Sequence, residues 1–332
     1  MAPWPTRQGR KPDGKPDAGI GPAAALDTCG NLERKLGPMN YRHAYHAGNF
    51  ADVLKHVTFA LVIEYLKRKE AAFRIIDTHA GGGRYALAST EAAKTGEWQS
   101  GIGRLVGGAA APLPEAVAKR MAPYLDAVRA ENGGQALAIY PGSPRIARRL
   151  MRAQDTLIVN ELHPEERAQL QAAVARDPRV KVMALDSWLA LKSLLPPKER
   201  RGIVLIDPPF EEDRELDRLA EGLAQGLRRF ATGVYLAWYP IKDPKPVARF
   251  HNAIAAIGAL RLLRVELMLR RPTDTDRLNG CGLIVANPPH ALSDELASIL
   301  PELTRRLGGR NGASWRLDPA PPGRAQTRAP SD

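Results

Sequence analysis

The sequence GIVLIDPPF, at residues 202–210, decides the fold class. The run Ile203–Ile206 is apolar and mostly β-branched, which predicts a strand buried in a parallel sheet. Pro208 and Pro209 end that strand, because neither can donate a hydrogen bond to a neighbouring strand. Ligands of open α/β sheets bind beyond the carboxyl ends of the strands, and the tetrapeptide Asp207–Phe210 falls there. We therefore expect an α/β protein with a ligand site at this tetrapeptide.

The chemistry of Asp207–Phe210 suits the exocyclic amine of a nucleic-acid base. The N6 nitrogen of adenine is a poor nucleophile, because it shares its lone pair with the ring. The Asp207 carboxylate and the Pro208 carbonyl could each accept one N–H of that amine, and the Phe210 ring could stack on an extruded base. The alternative is a strand-end Asp in a turn, with Phe210 in the core. The tetrapeptide alone leaves both interpretations open.

The composition narrows the class of partner. The chain has 332 residues, of which 44% are hydrophobic, so it can bury a sizeable core. Its formal net charge of +12 indicates a polyanionic partner, nucleic acid before membrane. There is no apolar run of about 18 residues and no signal-peptide core, so we expect a cytoplasmic protein with no membrane partner. We also expect a monomer. Cys29 and Cys281 form no CxxC pair, which argues against a zinc site or a disulfide framework.

Both ends of the chain have compositions typical of disorder. Residues 1–38 are rich in Pro, Gly, Ala and charge without periodicity, and Met39 directly after them is an alternative start. The tail 319–332 is rich in Pro and Ala. One domain is expected between them, over residues 39–318.

The domain begins with a dense polar and aromatic stretch, Met39–Asn49. Asn49 is the expected N-cap of a long helix that ends near Glu70. The histidines of this region lack the tight spacing of metal ligands, so no metal site is expected from His43, His46 and His56.

A glycine-rich turn follows the first predicted strand, Phe73–Ile76. Asp77 ends the strand, and Gly81–Gly83 would let the backbone approach a ligand closely before a helix begins. The pattern is neither GxGxxG nor a P-loop, and it fits the S-adenosylmethionine loop of class I methyltransferases. A purely structural glycine turn is the alternative.

Residues 88 to about 136 interrupt the alternation of strands and helices and predict an inserted helical subdomain. After it, Ser143 as N-cap and Pro144 at the first helical position predict a helix through Arg152. Four arginines of that helix form a basic stripe or a plain solvated face: Arg145, Arg148, Arg149 and Arg152.

Three further strands are expected to end in candidate ligand residues. In a nucleotide-binding sheet the acidic residue after the second strand accepts both ribose hydroxyls, and Glu161 follows Thr156–Asn160. Asp186, after Val180–Met183, could accept the adenine amine of a cofactor. The next strand carries Asp207.

The remaining chain is expected to complete the sheet. The sequence predicts a helix over 214–230, a strand over 233–238, a helix over 245–257, and an antiparallel pair at 260–269 and 282–286. Asn287-Pro-Pro-His290 imitates the Asp207 tetrapeptide, but we interpret it as a strand terminator on the far side of the sheet.

These motifs together resemble the RlmJ family of bacterial 23S ribosomal RNA adenine-N6 methyltransferases, from about Met39 to about Trp315. The motifs that carry the resemblance are YRHxxHAGN at 41–49, DVLKH at 52–56, DTHAG at 77–81, YPGSP at 140–144, ELHP at 161–164 and DPP at 207–209. The resemblance implies a class I S-adenosylmethionine-dependent methyltransferase of Rossmann-like fold with a small helical insertion. It also implies that the enzyme works without a metal.

Residue roles also follow from the resemblance. It implies that Asp207 is catalytic and that Tyr41 contacts the RNA, together with Pro208 and Phe210. The residues implied to bind S-adenosylmethionine are His56, His79, Ser143, Glu161, Asp186, Ser187 and Asp207. Phe210 stands where the family often has Tyr, and Ser187 where Gly is usual.

Two other functions remain open on the sequence alone. The first is methylation of DNA adenine or protein glutamine, since both activities use related Pro-Pro motifs. No separate DNA-reading domain is apparent, and the basic charge argues against a protein substrate. The second is an inactive RNA-binding protein on a methyltransferase fold.

Overall fold

The computed structural model describes residues 42–258, 261–309 and 312–319. Tyr41 lies outside the described residues, as do the segments 1–38 and 320–332 for which the sequence predicts disorder. No helix within the described ranges is long and apolar enough to cross a membrane.

The described chain contains ten strands and eleven α-helices, preceded by a short 3₁₀ helix at His43–Tyr45. The strands are β1 (Arg74–Asp77), β2 (Arg84–Ala86), β3 (Ile139–Pro141), β4 (Thr156–Asn160), β5 (Val180–Met183), β6 (Gly202–Ile206), β7 (Val234–Ile241), β8 (Leu262–Met268), β9 (Gly280–Ala286) and β10 (Ser314–Pro319). The helices are α1 (Phe50–Lys67), α2 (Thr90–Thr95), α3 (Glu97–Ser100), α4 (Gly103–Val106), α5 (Glu115–Glu131), α6 (Ser143–Leu150), α7 (Pro164–Ala173), α8 (Ser187–Ser193), α9 (Glu215–Arg229), α10 (Pro244–Ala256) and α11 (Leu292–Leu307).

Eight strands form one sheet in the order β10-β8-β9-β7-β6-β1-β4-β5. The five strands from β5 to β7 are parallel, and β9 runs antiparallel between β7 and β8. The chain builds one half of the sheet from β1 to β5 and then crosses to β6. The strand order therefore reverses between β1 and β6, the position at which α/β sheets bind ligands.

Both faces of the sheet are covered, which explains why β6 is apolar at every position. Ile203 and Leu205 belong to the core beneath α1, α5, α6 and α11. Val204 and Ile206 belong to the opposite core, beneath α8, α9 and α10. Successive side chains of a strand point to opposite faces, so a strand buried on both faces reads as a continuous apolar run. The predicted bounds of β5 and β6 are confirmed.

The prediction of a helix directly after the glycine turn is wrong. Residues Arg84–Ala86 form β2, which pairs antiparallel with β3 in a separate two-stranded sheet. Arg84 aligns with Pro141, so this pairing brings the YPGSP motif against the glycine turn. The partner strand lies more than 50 residues away in sequence, and local propensity gives no sign of it. Helices α2–α5 occupy the stretch interpreted as an inserted subdomain, and its status as a separate unit stays a prediction.

The sequence analysis also missed α11 and β10. The apolar residues Leu292, Leu296, Leu300 and Leu303 recur with a helical period, so the signal for α11 was present in the sequence. β10 pairs with β8 and extends to Pro319, one residue into the predicted tail.

Candidate active site

Carboxylates of distant sequence segments meet at the carboxyl edge of the sheet. Asp77 is the last residue of β1, Glu161 follows β4, and Asp207 follows β6. Because β4, β1 and β6 are parallel neighbours, their ends lie side by side. The structure thus places the three acidic residues predicted from the strand ends along one edge.

Asp77 is buried and hydrogen-bonded at both oxygens. Ser143 Oγ donates to Asp77 Oδ2 at 2.6 Å, and the His79 backbone N–H donates to Oδ1 at 3.3 Å. Burial raises the pKa of Asp77 to about 6, although the Ser143 hydrogen bond and Lys55 oppose the shift. Asp77 is therefore a carboxyl group that gains or loses its proton close to neutral pH.

Ser143 is not the N-cap that the sequence analysis predicts. Gly142 is the N-cap of α6, and Ser143 is the first helical residue. Its hydroxyl donates to Asp77 and is not available to cap the helix. The helix also ends at Leu150, two residues earlier than expected.

Glu161 holds the glycine turn to the end of β4. Its Oε2 accepts from the Gly81 N–H at 2.8 Å, and its Oε1 accepts from the His163 N–H at 2.7 Å. Burial raises the Glu161 pKa. Gly81 has a φ of +59°, and a Cβ at Gly82 would lie 2.7 Å from Gln169 Oε1. A side chain at Gly82 would therefore have to displace the ends of the Gln169 and Glu166 side chains.

Asn160, which the sequence analysis did not single out, fixes the neighbouring loops. It is fully buried, and its Nδ2 donates to the carbonyls of Thr78 and Leu185 at 3.2 and 2.9 Å. Its Oδ1 accepts from the Leu185 N–H at 2.8 Å. One side chain thus connects the loop after β1 with the loop after β5. The signal in the sequence was a polar residue at the end of an otherwise apolar strand.

Asp186 and Ser187 lie on the loop that Asn160 fixes. Asp186 is the N-cap of α8, and its Oδ1 accepts from the Leu189 N–H at 2.9 Å. Ser187 Oγ donates to the Thr78 carbonyl at 2.8 Å. The serine that replaces the usual glycine therefore has a structural partner.

His79 lies beside the same loop. Its ring packs edge-on against Trp188, with ring centroids 5.9 Å apart. Its Nδ1 lies 2.8 Å from Thr78 Oγ1, and that hydroxyl donates to the Leu205 carbonyl. Burial lowers the pKa of His79 to about 3, so the ring is neutral at physiological pH.

His56 lies in the core behind the strand ends. It is 1% exposed, and its Nδ1 lies 2.7 Å from Tyr140 Oη, which in turn lies 3.1 Å from Tyr124 Oη. Burial lowers the pKa of His56 to about 3. Its Nε2 has no hydrogen-bond partner among the described residues and lies 4.0 Å from Asp52 Oδ1. A direct contact of His56 with a cofactor stays a prediction.

A lysine that the sequence analysis did not assign to the site contacts Asp207. Lys55 Nζ lies 2.5 Å from Asp207 Oδ2 and 2.9 Å from Asp52 Oδ1. Burial disfavours the charge of Lys55, but the attraction of Asp207 and Asp52 outweighs it, so the pKa of Lys55 lies above its ordinary value. Asp207 therefore faces a fixed positive charge.

Asp52, three residues before Lys55 in α1, is the second carboxylate that contacts this lysine. It is 2% exposed, and its Oδ2 accepts from the Gly48 N–H at 2.8 Å and lies 3.0 Å from His43 Nε2. Burial raises the pKa of Asp52, but the charges of His43 and Lys55 outweigh burial and hold it well below its usual range. Charged residues three positions apart inside an apolar helix were the sequence signal for this pair.

Phe210 combines features of both interpretations left open by the sequence. Its φ is +55°, and its half-buried ring packs edge-on against Trp238 with ring centroids 5.6 Å apart. The carbonyl of Pro208, a buried residue two positions earlier, accepts no hydrogen bond from any residue in the part of the chain described. This acceptor directly follows Asp207 in the chain.

Two sequence patterns do not belong to the site. The basic stripe of α6 is mostly neutralised, since Arg145 pairs with Glu131, Arg148 with Asp177 and Arg152 with Asp155.

Asn287, at the start of the other Pro-Pro tetrapeptide, donates to the carbonyls of Ala231 and Gly233 before β7. That is the amino edge of the sheet, and the prediction that this tetrapeptide lies on the far side is confirmed. The tetrapeptide lies between β9 and α11.

The sheet order, the glycine turn after β1 and the strand-end carboxylates define a class I, Rossmann-like methyltransferase, as the sequence predicts. A family model described as "Ribosomal RNA large subunit methyltransferase D, RlmJ" matches residues 70–318. The chain belongs to this family, and the resemblance read from its motifs is confirmed.

Individual relatives agree with this assignment. Proteins named "Ribosomal RNA large subunit methyltransferase J" from Haemophilus influenzae and Escherichia coli are 41% and 40% identical to this chain over 281 residues, and the matches span 98% of each relative. These alignments cover 84% and 83% of this chain. A crystal structure of a Legionella pneumophila protein superimposes with a TM-score of 0.73 and 31% identity, covering 82% of this chain and 98% of that one. Described residues hold no cluster of three or more acidic, His or Cys side chains suited to a metal ion.

Proposed function

We propose that the protein transfers a methyl group from S-adenosylmethionine to the N6 amine of an adenine in 23S ribosomal RNA. The observation that carries the proposal is the Asp207–Lys55 pair at the strand-order reversal, next to the edge where Asp77 and Glu161 lie. Family membership supports the large ribosomal RNA as substrate.

The residues at the ends of β1, β4 and β5 fit S-adenosylmethionine. The bound cofactor supplies a methyl group on a positively charged sulfonium. The Gly81–Gly83 turn follows β1 without side chains of its own, and the carboxylates of the buried Asp77 and the half-buried Glu161 offer acceptors for an ammonium group and for ribose hydroxyls. Asp186 is the proposed acceptor for the adenine amine of the cofactor. His79, Ser143 and Ser187 complete the proposed pocket, with His56 behind it.

The Asp207–Phe210 segment is the proposed site of the target adenine. The Asp207 carboxylate and the Pro208 carbonyl each accept one N–H of the amine, which returns electron density to nitrogen and fixes its orientation. Methylation leaves the amine nitrogen positively charged and strongly acidic, so an ionised carboxylate suffices to take its proton. Lys55 contacts Asp207 Oδ2 and holds that oxygen in place. Phe210 stacks on the base, and Tyr41 contacts the RNA from the adjoining N-terminal stretch.

A comparison of two substrates distinguishes methylation of RNA from methylation of DNA. Labelled S-adenosylmethionine is offered with in vitro transcribed 23S ribosomal RNA or with double-stranded DNA of the same sequence. We expect label in the RNA only. Label in the DNA alone would overturn the proposed substrate.

Glu161→Gln is expected to weaken S-adenosylmethionine binding by about 1.5–3 kcal/mol, because the ribose hydroxyls lose a charged acceptor. Titration calorimetry measures the change. Glu165→Gln is the matched control, because Glu165 follows on the same segment but is exposed and pairs with Arg42. Equal affinity of the Glu161 and Glu165 variants would remove Glu161 from the pocket.

Cofactor binding near pH 6 is expected to release protons from Asp77. Burial raises the pKa of this carboxyl to about 6, so it is about half protonated at that pH. A cationic ligand favours the carboxylate, and binding therefore lowers the pKa and expels about half a proton. The same raised pKa also makes the stability of the free protein depend on pH. The native state binds more protons than the unfolded chain between about pH 4 and 6, so Asp77 lowers stability as the pH rises through this window.

Calorimetry in buffers of different ionisation enthalpy measures the proton release. We expect a buffer-dependent binding enthalpy at pH 6 that is much smaller at pH 7 and is strongly reduced in Asp77→Asn. A release of the same size in Asp77→Asn would show that another group is its source.

A further inference from the structure

The carboxyl edge of the sheet has a second half that the proposed cofactor site does not use. The proposed cofactor residues follow β1, β4 and β5, on one side of β6. On the other side, Ile241 at the end of β7 aligns with Gly280, and Gly280 aligns with Met268 of β8. The loop 269–279 between β8 and β9 therefore lies at the same edge as Asp207, beside the end of β7.

Cations without ion-pair partners gather on this half. We call them the basic shelf: Lys242, Lys245, Arg270, Arg271 and Arg277. All are exposed except Arg270, which is half-buried. Their side chains make no ion pair and no hydrogen bond to any residue in the described ranges, unlike the paired arginines of α6. Three carboxylates share the region, and two of them bind backbone N–H groups: Asp243 accepts from Lys245, and Asp274 accepts from Asp276.

The loop that carries the arginines is held in place by Asn279. This residue is fully buried, and its backbone N–H donates to the Ile241 carbonyl at 2.9 Å. Its Nδ2 donates to the carbonyls of Lys242 and Asp274 at 3.0 and 2.6 Å. The loop is thus attached to the segment that bears Lys242. The cations are presented on a fixed backbone, which lowers the entropy lost when a ligand binds.

The opposite side of Asp207 has the opposite charge. The segment after Phe210 carries Glu211, Glu212 and Asp213, all exposed. The two nearest arginines are engaged, since Arg214 pairs with Asp217 and Arg218 with Glu212. A polyanion that reaches Asp207 is therefore repelled from the β6–α9 loop and attracted towards the basic shelf.

One cation of the shelf, Lys242, lies near His46. A hydrogen bond that the Glu97 carboxylate accepts from His46 raises the pKa of this histidine, and the charge of Lys242 opposes that shift. The charge of Lys242 is therefore close enough to act on His46, which belongs to the N-terminal polar stretch.

We propose that the basic shelf binds the phosphates of the RNA strand that flanks the target adenine. This inference rests on the proposed function. RNA enters from the β7–β8 half of the carboxyl edge, with its phosphates on the β8–β9 loop, and only the extruded base reaches Asp207. Phosphate contacts position the nucleic acid without reading its sequence.

The test is the double substitution Arg271→Gln/Arg277→Gln. The matched control is Arg228→Gln/Arg229→Gln, which removes two exposed, unpaired arginines of the described chain from the end of α9, at the amino edge. Affinity for in vitro transcribed 23S ribosomal RNA is measured by filter binding over a salt series. Cofactor affinity and the turnover number at saturating RNA are measured in parallel.

The shelf variant is expected to bind RNA at least about tenfold more weakly, with the slope of log affinity against log salt reduced by about two. Its cofactor affinity and its kcat at saturating RNA are expected to match the wild type. The control is expected to keep wild-type RNA affinity.

Three results would overturn the assignment: wild-type RNA affinity in the shelf variant, an equal loss in the control, or a fall in kcat with unchanged RNA affinity. A wild-type protein that binds RNA through the shelf but methylates none would refute the proposed function and leave the shelf standing, because RNA affinity is measured without methyl transfer.

Discussion

Asp207→Asn is expected to lower methyl transfer to RNA by about 10³-fold in a protein that still folds. The substitution keeps the shape of the side chain but removes the charge that takes the proton. It also places an N–H₂ donor where the adenine amine needs an acceptor. The residue follows β6 at the edge of the sheet, outside the apolar core, but it pairs with the buried Lys55, so we expect a loss of about 1–3 kcal/mol of stability while Asp52 still compensates the lysine. Initial rates with tritiated S-adenosylmethionine measure the effect, with circular dichroism as the check on folding.

Asn287→Ala is the control for this variant, because Asn287 begins the other Pro-Pro tetrapeptide. Its Nδ2 donates to the carbonyls of Ala231 and Gly233 at 2.7 and 2.8 Å, at the opposite edge of the sheet. We expect about 1–3 kcal/mol lower stability and unchanged turnover. The assignment fails if Asp207→Asn keeps near-normal turnover, and a loss of turnover in Asn287→Ala would then point to the other tetrapeptide.

Lys55→Met is expected to lower transfer by at least about 100-fold and to destabilise the protein. The substitution removes the ammonium that contacts both Asp207 and the buried Asp52. Asp52 keeps His43 and the Gly48 N–H as partners, so we expect the lost ion pair to cost about 1.5–3 kcal/mol of stability. Initial rates and denaturant unfolding measure the two effects separately.

The double variant Lys55→Met/Asp52→Asn separates positioning from stability. It removes the buried carboxylate together with its partner, so we expect stability to recover relative to Lys55→Met. Transfer should remain low, because Asp207 still lacks its cation. A double variant that is both stable and fully active would show that Lys55 has no role in orienting Asp207.

Much of the sheet could be predicted because its central strands are buried on both faces. A strand such as Gly202–Ile206 must be apolar throughout, and the residue that ends it must lie at the ligand edge. The same logic located Asp77 and Glu161. The pairing of β2 with β3 could not be predicted, because it depends on a partner strand more than 50 residues away.

The side-chain contacts of the site were less predictable than its strand ends. Lys55 and Asp207 are separated by 152 positions, and no local pattern relates them. His56 follows Lys55 directly, yet a helix turns about 100° per residue, so the two point in different directions. One contacts Asp207, and the other lies in the core against Tyr140. Ser143 shows the same limit: its hydroxyl serves Asp77, a partner that only the folded chain supplies.

The most direct test of the account is methyl transfer to 23S ribosomal RNA in vitro. Wild-type protein, tritiated S-adenosylmethionine and unmodified transcript are incubated, and the modified nucleoside is identified and mapped. We expect N6-methyladenosine at a single adenine, and no label above background with Asp207→Asn. Label on another base or on another atom of adenine, or equal labelling by Asp207→Asn, would contradict the account.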